Sequence, residues 1–99
     1  MKIASHYFGQ HHEVLKHYAQ QMGLDSVVCT VPFASAQPDY VNPWDKVALR
    51  AQQQAMESYG LKVEVLEGIK FLDGAKLGRP DRDACIERFC QMLENMAVL

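Results

Sequence analysis

Glu67 closes the apolar run Lys62-Val63-Glu64-Val65-Leu66, and the loop after it carries Lys76. A carboxylate at such a strand end can hydrogen-bond a sugar hydroxyl, ligate a metal or serve as a base. Lys76, within Ala75-Lys76-Leu77-Gly78, offers a compact positive charge suited to a carboxylate substrate. The bland alternatives are a solvated strand end, an ion pair of Glu67 with Lys70 or Lys76, and an ordinary loop lysine. His6 falls at the carboxyl end of the first candidate strand, with Tyr7 beside it. Parallel α/β enzymes keep their chemistry on loops beyond the carboxyl ends of strands, so His6, Tyr7, Glu67 and Lys76 are the substrate-binding candidates. His6 and Glu67 would form an acid/base pair only if the fold brought both into one pocket.

Other reactive side chains read as structural. His12 and His17 lack the i,i+4 spacing that puts two ligands on one helical face, and with His11 they are expected at the surface. Cys29 lies inside a strand candidate; Cys90 is expected in the apolar stripe of the last helix and Cys85 at its edge, all three as packing residues. Tyr7, Phe8, Phe33, Tyr40 and Trp44 gather near strand-to-helix loops, where they either wall a pocket or fill the core. The chain has no Gly-rich phosphate loop, no nucleophile motif and no compact metal-ligand spacing, so no catalytic or metal residue is assigned.

Three strands and three helices must position these groups. Lys2 to Phe8, Ser26 to Val31 and Lys62 to Leu66 read as strands, the last two nearly continuous in apolar character, as strands covered on both faces are. The first helix puts Val14, Leu15, Tyr18, Ala19 and Met22 on one face and ends at Gly23. The second is expected to open at Asn42-Pro43-Trp44-Asp45, to bury Trp44, Val47, Ala48, Ala51, Ala55 and Tyr59, and to close at Gly60. A long polar loop leads to a third helix starting near Pro80-Asp81-Arg82-Asp83, with Ile86, Phe89, Cys90, Leu93, Met96 and Ala97 in its stripe. The order is β-α-β-α-β-α, for which right-handed crossovers give an α/β fold with a parallel sheet and helices layered on it.

With 99 residues, of which 48% are hydrophobic, the chain has material for one domain and a modest core. A formal charge of −2 with scattered Lys and Arg argues against nucleic acid. No segment approaches the ~20 apolar residues of a membrane span, and Met1-Lys2-Ile3-Ala4-Ser5-His6 turns polar too early for a signal peptide. Three cysteines without zinc-type pairing suit free thiols in a reducing cytoplasm. Glu94-Asn95-Met96-Ala97-Val98-Leu99 stops while the apolar pattern still runs, and three parallel strands leave two edges unpaired. Both features are expected of part of a larger barrel; the bland alternative is a last helix that simply ends there, packed down by Leu99.

Lys76-Leu77-Gly78, Pro80 and Arg82-Asp83 resemble the Lys-Leu-Gly-x-Pro-x-Arg-Asp segment of the mannonate dehydratase family, a xylose-isomerase-like TIM barrel. Val65-Leu66-Glu67 is similar to that family's Val-Val-Glu, with no gap between the two segments. Ile86-Glu87 and Phe89 continue the similarity, and His6-Tyr7-Phe8-Gly9 is similar to the family's Arg-Trp-Tyr-Gly. The resemblance implies residues 1–99 as the N-terminal part of a TIM-barrel domain, about three of eight units. It also implies a small sugar-acid substrate, D-mannonate, dehydrated to 2-keto-3-deoxygluconate with Mn²⁺ or Mg²⁺. The family's metal-binding His, Cys and Asp lie on later strands, beyond Leu99, so the chain alone is expected to be inactive. Departures are His6 in place of Arg and Leu72-Asp73 in place of a His-Glu pair. The alternatives are a self-contained α/β interaction module, pairing with a partner or a second copy through its open sheet, and a divergent sugar isomerase or epimerase of the same barrel superfamily.

Overall fold

The computed structural model describes residues 3–7, 13–30 and 42–99; the side chains of residues 5–7, 13, 15 and 16 lie outside what it describes. Strands β1 (Ala4–Tyr7), β2 (Ser26–Thr30) and β3 (Lys62–Glu67) form one sheet in the order β1-β2-β3, both pairs parallel. Helix α1 (Glu13–Gln21) connects the first pair and α2 (Lys46–Glu57) the second. After β3 come a 3-10 turn (Lys70–Leu72), the one-turn helix α3 (Asp73–Lys76) and α4 (Arg82–Ala97). The expected α/β order and parallel pairing are present. The stretch read as a polar loop is ordered as turn and helix. Lys2, Phe8, Phe33 and Tyr40 lie outside the described residues, as do His11, His12 and Val31.

Contacts divide the chain into two compact units, Met1–Thr30 with Ala51–Glu67, and Val31–Arg50 with Gly68–Leu99. In the sheet unit, Val27 and Cys29 of β2 pack with Ala19 of α1, Met56 of α2 and Leu61, and Leu24, Tyr59, Val63 and Leu66 pack against this cluster. Burying side chains such as Val27 and Met56 contributes roughly 1.5–3 kcal/mol each. Gln20 Nε2 donates to the Tyr59 carbonyl at 3.0 Å, tying the two helix ends together. Lys62 N donates to Asp25 O at 2.8 Å, which starts β2 and β3 side by side.

Helices α1, α2 and α3 stop in the same way. Gly23 and Gly60 donate to Gln20 O and Glu57 O, while Leu24 and Leu61, one residue later, donate to Ala19 O and Met56 O. These are Schellman caps, as expected at Gly23 and Gly60, and each delivers a leucine into the core. The third cap explains Lys76-Leu77-Gly78. Gly78 N bonds Ala75 O at 3.2 Å, Arg79 N bonds Gly74 O at 2.8 Å, and Gly78 has φ +65°. Pro80 then follows where the helix has already turned away.

The helical unit is organised around Trp44. Its ring meets Phe71 edge-on at 5.0 Å between centroids, the Arg88 guanidinium lies 5.0 Å from its centre, and Asn95 Nδ2 donates to its carbonyl at 2.9 Å. Cys85 and Met92 of α4 are buried, with Phe89 half-buried between them along the helix.

Several periodicity expectations are corrected. The α-helix of α2 begins at Lys46 rather than at Pro43: Asn42–Asp45 is a turn closed by Asp45 N to Asn42 O, and the Asp45 carbonyl accepts Leu49 N at 3.1 Å. The Asp45 carboxylate instead accepts from Asn42 N at 3.2 Å and Nδ2 at 3.3 Å, fixing this entry turn. The buried residues of α2 are Ala48, Leu49 and Met56, whereas Val47, Ala51 and Ala55 are exposed. In α4 the buried thiol is Cys85 and the exposed one Cys90; Ile86, Leu93 and Ala97 are exposed as well. In α1 Ala19 is buried while Val14, Tyr18 and Met22 are exposed. Each helix carries two adjacent apolar rows, and periodicity alone does not say which of them meets a neighbour.

Candidate functional site

The register of the sheet decides which residues reach its carboxyl edge. His6 pairs with Val28 and Tyr7 with Cys29 across β1 and β2; Leu66 pairs with Cys29 and Glu67 with Thr30 across β2 and β3. The pairing shifts between Val27, opposite Val63, and Val28, opposite Val65, so Glu64 is the extra residue of a bulge. A one-residue slip exchanges the faces of every following side chain. Here it sends Leu66 toward the core with Cys29 and leaves Glu67, in register with Thr30, on the face opposite that core cluster. The bulge is therefore what turns the terminal carboxylate out of the core.

Among the described residues that outer face is partly open. Val28 and Thr30 are half-buried, Glu67 is exposed and Val65 is 48% exposed. β3 was expected to be buried on both sides; it is covered on one, as the edge strand of the described sheet. His6 and Glu67 lie on the two outer strands and two register rows apart. Standard spacings of about 4.8 Å between strands and 3.3 Å along them put their backbones about 12 Å apart. That separation suits a small ligand between two strand ends better than a directly bonded pair.

Gln52 was not anticipated. From α2 its Nε2 donates to the Thr30 carbonyl at 2.7 Å, at the end of the central strand beside Glu67. The available signal was a glutamine one turn before the buried Met56, a polar group on a sheet-facing row that had to find a partner.

Lys76 belongs to the helical unit. Its ammonium donates to the Ile69 carbonyl at 3.3 Å and lies 3.6 Å from Asp73 Oδ1. The contacts brace α3 against the preceding turn, and the side chain remains about half exposed. Arg82 and Asp83 of the same motif pair with each other at 3.7 Å on the surface. His17 is exposed, as expected, with its ring edge-on to Tyr59 at 5.7 Å. Among the described residues no three His, Cys, Asp or Glu side chains come together as a metal site, and no helix is long and apolar enough to cross a membrane.

The motif at Leu77-Gly78, the parallel order and the whole-chain similarity point the same way. The family model for D-mannonate dehydratase (UxuA) matches residues 1–99. The chain belongs to the mannonate dehydratase family. Mannonate dehydratase of Bacillus subtilis (strain 168) is 27% identical over 99 residues, covering 98% of this chain and 26% of the relative. Mannonate dehydratase of Streptococcus uberis is 25% identical over 101 residues, covering 98% and 27%. Mannonate dehydratase 2 of Halalkalibacterium halodurans is 28% identical over 98 residues, with the same coverage. The chain spans about a quarter of the length of these curated relatives. No solved structure matches it.

Proposed function

We propose that this chain is the N-terminal portion of a metal-dependent mannonate dehydratase, a cytoplasmic sugar-acid lyase, forming about three of the eight units of a TIM-barrel domain. The observation that carries the reading is the family match over the whole chain together with three parallel strands in sequential order. The half-exposed Val65 and the exposed Glu67 are where the remaining barrel strands and the substrate would sit. No disulfide joins Cys29, Cys85 and Cys90, which is compatible with a reducing compartment.

In the dehydration of D-mannonate to 2-keto-3-deoxygluconate, the proton beside the carboxylate and a neighbouring hydroxyl leave as water. The resulting enol then ketonises. In this reading Glu67 accepts a hydrogen bond from a substrate hydroxyl, and His6, on the same face of the sheet by register, contacts the substrate from β1. Tyr7, by contrast, falls in the core-facing row of Cys29 and Leu66. Lys76 offers its half-exposed ammonium to the substrate carboxylate in exchange for Asp73. Bound Mn²⁺ or Mg²⁺ would supply Lewis acidity. The described residues gather no ligand set for it, so its ligands are assigned to the remainder of the barrel and no step is derived through it.

The test begins with the coding DNA beyond the Leu99 codon. An in-frame continuation with further strands, whose product dehydrates D-mannonate with Mn²⁺ or Mg²⁺ while residues 1–99 alone do not, is the expected result. A stop codon directly after Leu99, or turnover of mannonate by the purified 99-residue chain, would overturn it.

A further inference from the structure

We infer that Gln52 is a positioning residue: from α2 it holds the carboxyl end of the central strand, and thereby the edge at which Glu67 stands. The inference rests on the proposed role of Glu67 for its functional meaning, but its structural content stands apart from any substrate. Gln52 Nε2 donates to Thr30 O at 2.7 Å, the bond is partly buried, and it joins residues 22 apart in sequence. Thr30 is the last residue of β2 and the register partner of Glu67, the last residue of β3.

A strand end frays because its final carbonyl and amide have water as an alternative partner. A neutral amide donor fixed on a helix removes that freedom at one carbonyl without adding charge beside the carboxylate. Gln52 is suited to this because its helix is itself anchored one turn later by Met56, which is 1% exposed. A carboxylate at the same place would face the Thr30 carbonyl without a proton to give. An apolar side chain would leave the carbonyl unpaired in a partly buried place.

The experiment compares the wild-type chain with Gln52→Met, which keeps the length and loses the donor, and Gln52→Lys, which keeps a donor. Amide hydrogen exchange is read by NMR along β2 and β3, together with the scalar coupling between the Gln52 side-chain nitrogen and the Thr30 carbonyl carbon. The coupling is expected in the wild type. In Q52M, exchange should quicken by roughly threefold to tenfold at Thr30, Glu67 and Gly68 and stay unchanged at Val27, Lys62 and Val63. Q52K should restore slow exchange at the strand end. Uniform acceleration along both strands, no acceleration, or failure of Q52K to restore protection would overturn the inference. Adding sodium D-mannonate plays no part in these readings, so a failure of the substrate assignment leaves them intact and is recognised separately.

Discussion

Gly74→Ala puts the packing of the loop that carries Lys76 to a quantitative test. An alanine Cβ at this position would come within 2.8 Å of Cys85 Sγ and would also meet the Asp81 carboxylate. Comfortable carbon contacts lie at about 3.5–4.0 Å, so the sulfur would have to yield by roughly 1 Å. Cys85 is 2% exposed and its thiol is held 3.6 Å from Asp81 Oδ2, which leaves it little room. Two effects oppose each other. Alanine in place of glycine favours a helix by up to about 1 kcal/mol, whereas overpacking costs about 1–3 kcal/mol. The overlap wins, and a net loss of about 1 kcal/mol is expected. Cys85→Ala removes the sulfur and frees the Asp81 carboxylate to rotate. In that background the same Gly74→Ala change should be neutral or should stabilise by up to ~1 kcal/mol. Urea unfolding of the four proteins, followed by far-UV circular dichroism, closes the double-mutant cycle. An interaction energy of about 1–2 kcal/mol is expected; additivity within ~0.3 kcal/mol would show that Gly74 and Cys85 do not share a packing site.

At Gly78 the mechanism is different, because nothing lies within 4 Å of an added Cβ and only the φ of +65° opposes it. Gly78→Ala should cost about 1 kcal/mol and Gly78→Asn clearly less, read from thermal melts; equal costs would refute the backbone explanation. Met56→Ala should destabilise by about 2–5 kcal/mol, as a buried methionine leaves a cavity, while Met22→Ala, at a site 71% exposed, stays within about 0.5 kcal/mol by the same melts. Lys76→Met loses an ion pair whose two side chains are about half exposed, so stability should change by no more than ~1 kcal/mol. In a longer product that dehydrates D-mannonate, as proposed above, the same change should raise the KM by roughly tenfold, and an unchanged KM would remove Lys76 from the proposed substrate contacts.

The order of elements was legible because its signals are local. Gly23 and Gly60 mark helix ends, and they do so because a left-handed residue is needed to close each Schellman cap. Alternation of short apolar runs with helical periodicity was enough to expect a parallel sheet, and the β1-β2-β3 order bears that out. The motif around Lys76-Leu77-Gly78 was also readable, and its glycine proves to be a third cap of the same kind.

Facing was a tertiary matter. Cys85 rather than Cys90, and Met56 rather than Ala55, are buried because neighbouring rows on a helix differ by a rotation that only a packing partner selects. The bulge at Glu64 is likewise silent in the local pattern, yet it turns Leu66 inward and Glu67 outward. The sequence by itself determined which residue types stand at the strand ends and where each helix stops, since propensity and backbone conformation act over a few residues. Only the tertiary structure decided that Gln52 would hold Thr30, that Trp44 would gather Phe71, Arg88 and Asn95, and that Lys76 would brace its own loop. Each of these contacts is a choice among partners remote in the chain or beyond a turn, made by how the elements pack.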